Sequence, residues 1–505
     1  MDEPQPAPSQ PDAGSGPQER SAQDLVADRR AKLQRLREEF GIDPYGHRVG
    51  HLLTLQEARQ RYDEQADEAY RADSAQDQRP RVRVAGRVML KRLMGNLIFM
   101  TLRDATGDLQ AAISKKAVSP QAFQLAKLTD LSDIVVVEGP LGKTKTGEIT
   151  VWAEAPAEAG GSELEPAGFT IATKSLAPPP EKWHGLQDPE LRYRRRYVDL
   201  YVNPSVMQTF QQRSRILKRI RDFLTDPPAE VAAVTGGGFI EVETPMMQPI
   251  AGGAAARPFI THHNALDIDL YLRIAPELYL KRLLVGGLPR VFEINRNFRN
   301  EGLSPRHNPE FTMLELYQAF GDYRTMMELT ERLVHTVAVE VAGQEVLPWG
   351  EHSINCRMPF RRATYLELFE EHNGFAASDT TKLVERAGEL GIASAGKDHD
   401  VLLQEVWEET VERYLIQPVF VMDYPAKLCP LTKTKAGNPH LAERFELYIA
   451  GMEMANAYTE LNDPDVQEAN FRQQIAGLDE EESTFRTVDE DFLQALRVGM
   501  PPAGG

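Results

Sequence analysis

The spacing of apolar residues near the start of the chain predicts helices. Between residues 24 and 40, leucines and a phenylalanine recur at near-helical spacing among arginines and glutamates, which indicates an amphipathic helix. A second helix should begin at Thr54, because Thr54 and Glu57 form a capping-box pattern. We therefore predict N-terminal helices over residues 21–78, after a tail at residues 1–20 whose Pro, Gly, Ser and Gln content is typical of disorder.

The pattern changes to short strands between residues 81 and 154. Runs such as VRVAGRVML, LIFMTLRD and DIVVVEGPLG are rich in strand-forming residues, and glycine-containing turn signals separate several of them. Five short strands in succession are typical of a small barrel such as the oligonucleotide-binding (OB) fold. We assign this barrel to residues 79–156 and a linker, which becomes rich in arginine, to residues 157–200.

The remaining residues, 201–505, mix both patterns and predict an α+β domain. Apolar spacing indicates a helix over residues 205–224, and residues 291–317 read as two strands joined by a polar loop, which favours an antiparallel pair. The run at 225–237 reads as a surface insertion. Residues 379–415 are mostly helical and read as an insertion within the sheet of this domain.

Composition and charge narrow the class of protein. A net charge of −18 argues against a nonspecific nucleic-acid coat, yet residues 81–145 hold eleven Lys and Arg against five Asp and Glu. The chain has two cysteines, too few for a disulfide framework, and no apolar run long enough to span a membrane. The N-terminus lacks the apolar core of a signal peptide, so we expect a cytoplasmic protein with a local basic face.

The polar loop between the two predicted strands carries the residue types that a nucleotide site needs. Arg299 offers a planar fork for a phosphate, Glu301 a carboxylate for an amine edge, and Phe311 a flat ring for a base, with His307 and Asn308 as further donors. We expect Arg299 and Glu301 to share one face of a strand. A surface hairpin with salt bridges is the alternative interpretation. No glycine-rich phosphate loop accompanies the run.

A second hairpin is expected near the end of the chain, with its turn at Ala450-Gly451. In that register Tyr448 lies opposite Glu453 and Glu446 opposite Ala455, which makes the two glutamates diagonal neighbours. Two carboxylates this close repel unless a cation lies between them, and Mg²⁺ prefers such oxygen ligands. We also expect a β-bulge near Ala455 that brings both sides of the strand together. An ordinary surface hairpin is again the alternative.

These motifs resemble a known family. The run FRNEG…RHNPEFTMLE resembles motif 2 of class II aminoacyl-tRNA synthetases in its lysyl, bacterial form, and GFIEVETPMMQP resembles motif 1, which forms the dimer interface in that family. Residues 81–154 are similar to the family's anticodon-binding barrel. The resemblance covers roughly residues 50–505.

The resemblance implies a lysine–tRNA ligase that activates lysine with ATP and Mg²⁺, transfers it to tRNA(Lys) and works as a homodimer. By position it implies catalysis by Arg299 and the following further roles. ATP is bound by Arg299, Glu301, His307, Asn308 and Phe311; lysine by Gly253, Glu277, Glu315, Asn456, Tyr458 and Glu460; Mg²⁺ by Glu446 and Glu453; and the anticodon by Arg92, Phe99 and Gln110. For Phe99 the alternative is a core position between Ile98 and Met100.

The sequence departs from the family pattern at one place. Class II enzymes carry a third motif with an arginine for the γ-phosphate, and the family places it directly after a segment like ALRVGMPPAGG, where this sequence ends. The favoured interpretation is a ligase whose sequence stops before that motif. The alternatives are a non-catalytic tRNA- or nucleotide-binding protein of synthetase ancestry, and a ligase for another acceptor.

Overall fold

The protein folds as two compact units, Met1–Gln211 and Gln212–Gly505. A computed structural model describes these parts of the chain: residues 22–45, 48–155, 168–179, 186–250, 252, 256–304, 307–476 and 488–505. The predicted tail and most of the Pro- and Gly-rich part of the predicted linker lie outside the described residues. In the described parts, none of the helices combines the length and the apolar character needed to span a bilayer.

The first unit contains short helices and one sheet. Its helices are α1 (Ala22–Glu38), α2 (Leu55–Gln60), α3 (Glu64–Ala72), α4 (Pro120–Leu128), α5 (Pro189–Arg194) and α6 (Arg196–Val202). Its strands are β1 (Arg81–Met94), β2 (Leu97–Asp104), β3 (Gly107–Ser114), β4 (Ile134–Lys143), β5 (Ile149–Ala153) and β6 (Phe169–Thr173). The predicted capping box is confirmed: Thr54 Oγ1 accepts from the Glu57 N–H and the Glu57 carboxylate accepts from the Thr54 N–H.

The strands of the first unit close into the predicted barrel. Their order is β1-β2-β3-β5-β4-β6, and a second pairing of β1 with β4 closes the ring. Alternate residues are apolar and buried over 82–88 of β1, 98–102 of β2 and 135–141 of β4, so the inner face forms one hydrophobic core that also covers α2 and α4. Because strands alternate sides, the polar residues between them form the outer surface of the barrel.

A buried ionic cluster fixes α1 to the barrel. The ammonium of Lys174, which follows β6, lies 2.6 Å from Asp130 and 2.7 Å from Asp133. Lys32 of α1 reaches Asp130 at 2.7 Å. The Asp133 carboxylate also accepts from the N–H groups of Asp130 and Ser175. Every oxygen-bearing group of this cluster therefore has a cation or an N–H donor.

The second unit begins within α7 (Pro204–Thr225) and is of mixed composition. Its further helices are α8 (Ala229–Thr235), α9 (Glu277–Val285), α10 (Tyr323–Val341), α11 (Tyr365–Asn373), α12 (Thr380–Glu389), α13 (His399–Thr410), α14 (Pro464–Ala476) and α15 (Glu490–Gly499). Its strands are β7 (Ile240–Glu241), β8 (Met247–Gln248), β9 (Phe259–His263), β10 (Ile268–Leu272), β11 (Arg290–Phe298), β12 (Glu310–Ala319), β13 (Val346–Trp349), β14 (His352–Asn355), β15 (Arg361–Thr364), β16 (Val419–Pro425), β17 (Thr434–Lys435), β18 (Asn438–Ile449), β19 (Met452–Tyr458) and β20 (Ala503–Gly504).

Two sheets carry the centre of this unit. One has the order β20-β12-β11-β7, and the other has the order β15-β16-β18-β17 with β19 paired to β18. Strand β20 joins them, because Gly504 pairs with Gln318 of β12 and bridges to Thr459. The predicted α+β class, with an OB barrel and an antiparallel domain flanked by helices, is confirmed.

The run at 225–237, which was predicted to be a surface insertion, lies mostly on the surface but has two buried residues. It forms α8, whose Val231 and Thr235 are buried, and Val231 packs in one core with Phe223 of α7 and Met327 of α10. A short helix that contributes an apolar residue to the core is stabilised by that burial. The predicted helical insertion at 379–415 contains α12, α13 and a 3-10 turn (Glu412–Tyr414).

Candidate functional site

The two strands predicted around the polar loop form an antiparallel pair. Strand β11 pairs with β12 in an uninterrupted register in which Glu293 faces Glu315 and Asn297 faces Phe311. The ladder ends at Phe298, so Arg299 and Glu301 lie in the loop rather than on a strand. The predicted shared strand face of Arg299 and Glu301 is therefore wrong, because the chain leaves the ladder before either residue.

Arg299 is placed to receive an anion. Its guanidinium carbon lies 5.3 Å from the centre of the Phe311 ring. Its Nε is buried and has no hydrogen-bond partner among the described residues, a state that proteins rarely leave uncompensated. Glu301, His307 and Asn308 are exposed in the same loop. Among the described residues of the loop, Arg299 thus presents a guanidinium with an unpartnered Nε beside a flat ring.

The second hairpin has the predicted turn. Ala450 and Gly451 both have positive φ, 56° and 67°, as a tight two-residue turn between strands requires. Tyr448 faces Glu453 as predicted, whereas Glu446 faces Asn456 and not Ala455. The predicted partner of Glu446 is wrong by one residue, because the register shifts between Leu447 and Tyr448.

The register shift is the predicted β-bulge. The partners of Tyr448 and Leu447 are Glu453 and Ala455, so Met454 is the extra residue. Directly opposed residues point to the same side of a sheet. Glu446, Glu453, Asn456 and Tyr458 therefore share one side, although their spacing in sequence would divide them between two.

Two carboxylates of this hairpin lie close enough to influence each other. Glu446 accepts hydrogen bonds from Tyr424 Oη and Tyr448 Oη, both at 2.7 Å, and pairs with Arg444. Glu453 is open to the cavity and accepts from Asn456 Nδ2 at 2.7 Å. Desolvation and then the charge of Glu446 raise the pKa of Glu453. Such repulsion is relieved by a bound cation.

The donor set fits a magnesium ion held partly by its substrate. Among the described residues, no three or more His, Cys, Asp or Glu side chains gather into a metal site. Mg²⁺ in nucleotide enzymes commonly takes one or two carboxylates from the protein and its remaining oxygens from water and phosphates. Glu446 and Glu453 supply two such carboxylates.

An acidic pocket lies beside the loop and the hairpin. Glu277, Glu315, Asn456 and Tyr458 line a cavity of about 1280 Å³, together with Arg299. Glu277 is buried at the start of α9, and its Oε1 accepts from Tyr458 Oη at 2.7 Å. The structure therefore brings together four of the residues that were predicted to contact lysine. Gly253, a fifth, lies outside the described residues.

Glu460, the remaining predicted contact, is fully buried and forms an ion pair. Its Oε2 lies 2.5 Å from Lys281 Nζ, and Lys281 Nζ also lies 2.6 Å from Glu277 Oε1. Neither oxygen of Glu460 accepts a well-directed hydrogen bond from the described residues. Lys281 therefore stands between two of the three carboxylates.

The third carboxyl group, that of Glu315, forms no ion pair with the described residues. Glu315 accepts from Tyr317 Oη at 3.0 Å. Burial, followed by the charge of Glu277, raises the pKa of Glu315 to about 8. Although burial opposes it, the charges of Glu277 and Glu460 raise the pKa of Lys281 to about 12. The pocket thus holds three carboxyl groups and one ammonium, and a ligand with an ammonium group would favour ionisation of the carboxyl that lacks a partner.

Two residues of this pocket were absent from the predicted set, although the sequence contains signals for both. Lys281 lies four residues after Glu277, which places the two side chains on one helix face. Tyr317 lies two residues after Glu315 on β12, which places both on one strand face. Neither spacing becomes informative until the helix and the strand are known to border the same cavity.

The three residues predicted to read the anticodon share the outer face of the barrel. Arg92 is directly opposite Phe99, and Gln110 is opposite Thr101, two residues further along the same strand. Phe99 is half-buried on this face and contacts Trp152 edge-on at 6.3 Å, whereas its neighbours Ile98 and Met100 are buried inside. The alternative of a core Phe99 is wrong, and Trp152 is a further ring that the prediction missed.

Comparison with family models gives two matches. Residues 188–505 match the family described as tRNA synthetases class II (D, K and N). Residues 82–155 match the OB-fold nucleic acid binding domain.

Comparison with individual proteins gives relatives of nearly the same length. The chain is 47% identical to the lysine–tRNA ligase of Pelotomaculum thermopropionicum over 96% of this chain and 90% of that one. It is also 47% identical to the lysine–tRNA ligases of Carboxydothermus hydrogenoformans and Moorella thermoacetica, in each case over 95% of this chain and 92% of the relative. These comparisons give no support to a non-catalytic binding protein.

Proposed function

Because the chain belongs to the class II tRNA synthetases (D, K and N) and matches lysine–tRNA ligases over about 95% of its length, we propose that it is a lysine–tRNA ligase. The reaction joins lysine to ATP with loss of pyrophosphate and then transfers the lysyl group to the 3′ end of tRNA(Lys). The observation that carries the choice of lysine is the acidic pocket, in which three carboxylates face one internal ammonium. An aspartate pocket needs the opposite charge.

The loop after β11 suits ATP. Phosphoryl chemistry depends mainly on positioning and on neutralising charge as it develops. The Arg299 guanidinium, with its unpaired Nε, is our candidate for the α-phosphate as the lysine carboxylate attacks it. Phe311 supplies a ring on which adenine can stack, Glu301 an acceptor for its amine, and His307 and Asn308 lie along the phosphates and ribose.

The hairpin suits Mg²⁺. Glu446 and Glu453 would hold the ion, and a bound Mg²⁺ would neutralise phosphate charge and favour departure of pyrophosphate. Tyr424 and Tyr448 fix the orientation of the Glu446 carboxylate by hydrogen bonds. These contacts orient Glu446 before any ligand arrives, and its other oxygen, which pairs with Arg444, is the one that a bound cation would share.

The acidic pocket suits the lysine side chain. The substrate ammonium would pair with Glu315, which has no other cation partner among the described residues. Tyr317 lies beside Glu315 and donates its hydroxyl to it. Glu277, Asn456 and Tyr458 border the same cavity. Two of the remaining predicted contacts, Glu460 and Gly253, stay in the proposal, Glu460 through its pairing with Lys281.

The outer face of the barrel suits an unpaired anticodon. Recognition of single-stranded RNA relies on aromatic side chains that stack on bases and on polar groups that bond their edges. Phe99 supplies a ring, and Arg92 and Gln110 supply the polar groups. A synthetase that works on tRNA is expected where tRNA is charged, so we place the protein in the cytoplasm.

A homodimer through motif 1 is supported by apolar surface. Five large apolar residues on or next to β7–β10 are exposed in the single chain: Ile240, Met247, Ile260, Leu266 and Ile268. Large apolar side chains that a single chain leaves exposed commonly mark a protein interface where they lie together. Sedimentation of the purified protein at several concentrations tests this proposal, and a monomer throughout contradicts it.

Lysine-dependent ATP–pyrophosphate exchange, followed by charging of tRNA(Lys), tests the proposed function. We expect exchange with lysine and none with aspartate or asparagine, the other two amino acids of the family. Exchange that depends on either of those amino acids contradicts the lysine assignment. Binding of tRNA without any exchange contradicts the ligase itself and favours the non-catalytic alternative.

A further inference from the structure

Lys281 is a fully buried lysine whose two partners are both residues of the proposed lysine pocket. Its Nζ lies 2.6 Å from Glu277 and 2.5 Å from Glu460, and the exposed fraction of the Lys281 side chain is zero. The rings of Tyr458 and Phe492 border it, with centres 5.5 Å and 6.0 Å from Nζ. An ammonium in this environment is held by its carboxylate partners and not by water.

The charges around Lys281 can be counted from every element packed against it. Its own helix contributes Glu277, β12 contributes Glu315 and Tyr317, and the end of β19 and the next residues contribute Tyr458 and Glu460. Arg273, whose charge acts on Glu315, is paired with Glu293 at 2.7 Å, and Arg282, next to Lys281 on α9, is paired with Asp489 at 2.6 Å. Three carboxylates therefore share a single ammonium, and Glu315 is the one that Lys281 does not contact.

We propose that Lys281 is a positioning residue of the amino-acid pocket, whose ammonium lies between Glu277 and Glu460 and holds these two carboxylates in place, so that Glu315 is the carboxyl group left for a substrate ammonium. This inference rests on the proposed function, and it assigns to Lys281 the control of charge in the proposed lysine pocket. A substrate ammonium then meets one carboxylate that lacks a cation, beside two whose charge is already balanced in part. Without Lys281, Glu277 and Glu460 would lose their shared cation, and burial together with mutual repulsion would raise the pKa of the carboxyl groups in the pocket further.

The replacement of Lys281 by methionine, Lys281→Met, gives two opposite pH trends if this account is right. In the ligand-free protein, carboxyls with a raised folded-state pKa reduce stability as pH rises toward that pKa. The thermal midpoint of Lys281→Met should therefore fall further below that of the wild type as pH rises from 6 to 9. The KM for lysine should rise about tenfold at pH 7, the factor that one unit of carboxylate pKa represents, and this excess should shrink toward pH 9 while kcat changes less.

A purely structural role for Lys281 predicts something else. Loss of packing lowers the thermal midpoint and weakens lysine binding by amounts that do not depend on pH, and that result overturns the proposal. The thermal measurement needs no lysine, so it tests Lys281 separately from the function. Failure of lysine-dependent exchange in the wild type, by contrast, contradicts the proposed function while the two midpoints still decide the role of Lys281.

Two further variants cover the case in which Lys281→Met folds poorly. The double variant Lys281→Met/Glu460→Gln removes one positive and one negative charge, so its pH trend should lie closer to that of the wild type. A double variant as sensitive to pH as the single one, or less stable at every pH, overturns the proposal. Lys382→Met, which removes an exposed lysine of α12, is the matched control and should leave both trends unchanged.

Discussion

Two buried lysines of this chain each lie between two carboxylates, yet their surroundings differ. In the barrel unit, Lys174 pairs with Asp130 and Asp133, and these carboxylates also receive Lys32 and backbone N–H groups. In the other unit, Lys281 pairs with Glu277 and Glu460, but neither oxygen of Glu460 accepts a well-directed hydrogen bond from the described residues. A third carboxyl group, that of Glu315, lies near Lys281 and has no cation partner in the part of the chain that the structure describes. Among the described residues around Lys174, both carboxylates have a cation partner.

The difference separates a structural ionic cluster from a ligand site. Buried charges are costly unless they are paired and hydrogen-bonded. A cluster in which each group is satisfied has no use for a further ligand, and it only fixes α1 against the barrel. A cluster with one carboxylate in excess keeps a cost that a cationic ligand can remove. A ligand site is therefore indicated by a carboxyl group without a cation partner, and not by the presence of a buried lysine.

The largest effect expected from this comparison concerns stability alone. Lys174→Met leaves two buried aspartates without their shared cation, and breaking such a pair costs about 3–5 kcal/mol. Chemical denaturation should show this loss in the transition of the barrel unit. The KM for lysine in ATP–pyrophosphate exchange should not change under conditions where the variant is folded. A raised KM would mean that the barrel cluster also serves the site, which breaks the comparison.

The opposite pattern is expected for Glu315→Gln. Removal of the excess carboxylate should raise the KM for lysine roughly a hundredfold, in the range that loss of one partner of a buried charge pair produces. Stability should increase at pH 8, because a carboxyl with a raised folded-state pKa destabilises the protein once it ionises. Kinetics and thermal unfolding on the same preparation measure both. Loss of stability at pH 8 would show that Glu315 is part of a satisfied cluster after all.

A smaller effect is expected on the outer face of the barrel. Phe99→Ala removes the ring on which a base can stack, worth about 1–3 kcal/mol per base. The KM for tRNA in aminoacylation should rise by roughly tenfold or more, whereas lysine-dependent exchange, which needs no tRNA, should stay unchanged. Phe123→Ala, which truncates a buried ring of the barrel core, is the contrasting variant and should reduce stability. An unchanged KM for tRNA in Phe99→Ala contradicts the assigned face.

The smallest effect is a pH dependence of the wild type. Burial raises the pKa of Glu315 to about 8, so below that pH most of the ligand-free protein carries a neutral carboxyl there. A substrate ammonium requires the ionised form, and the KM for lysine should fall about fivefold between pH 7 and pH 8. Glu315→Gln should lack this change. The same dependence in that variant would assign it to another group.

Local patterns allowed much of the fold to be predicted from the sequence. The capping box at Thr54, the antiparallel pair β11–β12 and the turn at Ala450-Gly451 each depend on a few neighbouring residues, and each was predicted. The bulge near Ala455 was also predicted, but the partner of Glu446 was counted from the turn without the extra residue, so Glu446 was assigned to Ala455 instead of Asn456. The position of a bulge along a pair of strands depends on how those strands pack against the rest of the sheet. The spacing of residues in sequence does not give this information.

The members of the site that were missed depend on contacts distant in sequence. Lys281 belongs to an amphipathic helix, where most lysines are solvated, and its partner Glu460 is far away in the chain. Trp152 reaches Phe99 only because β5 lies beside β3 in the barrel. Burial within α8 was missed for the same reason, since Val231 packs against Phe223 of α7 and Met327 of α10 and not against its neighbours in sequence. Predicting these residues requires the topology first.

The single extra residue of β19 determines which changes of length the chain can accept. Met454 offsets the alternation of the strand, so Glu453 faces the same way as Asn456 and Tyr458. Substitutions within the hairpin alter one contact at a time and leave this arrangement intact. Deletion of Met454 or Ala455 would leave Glu453 and Asn456 two positions apart, on one side of a regular strand, whereas deletion of Ala457 would send Tyr458 to the side opposite Glu453 and Asn456. In descendants of this sequence, β19 can therefore lose a residue only where the loss removes the extra one.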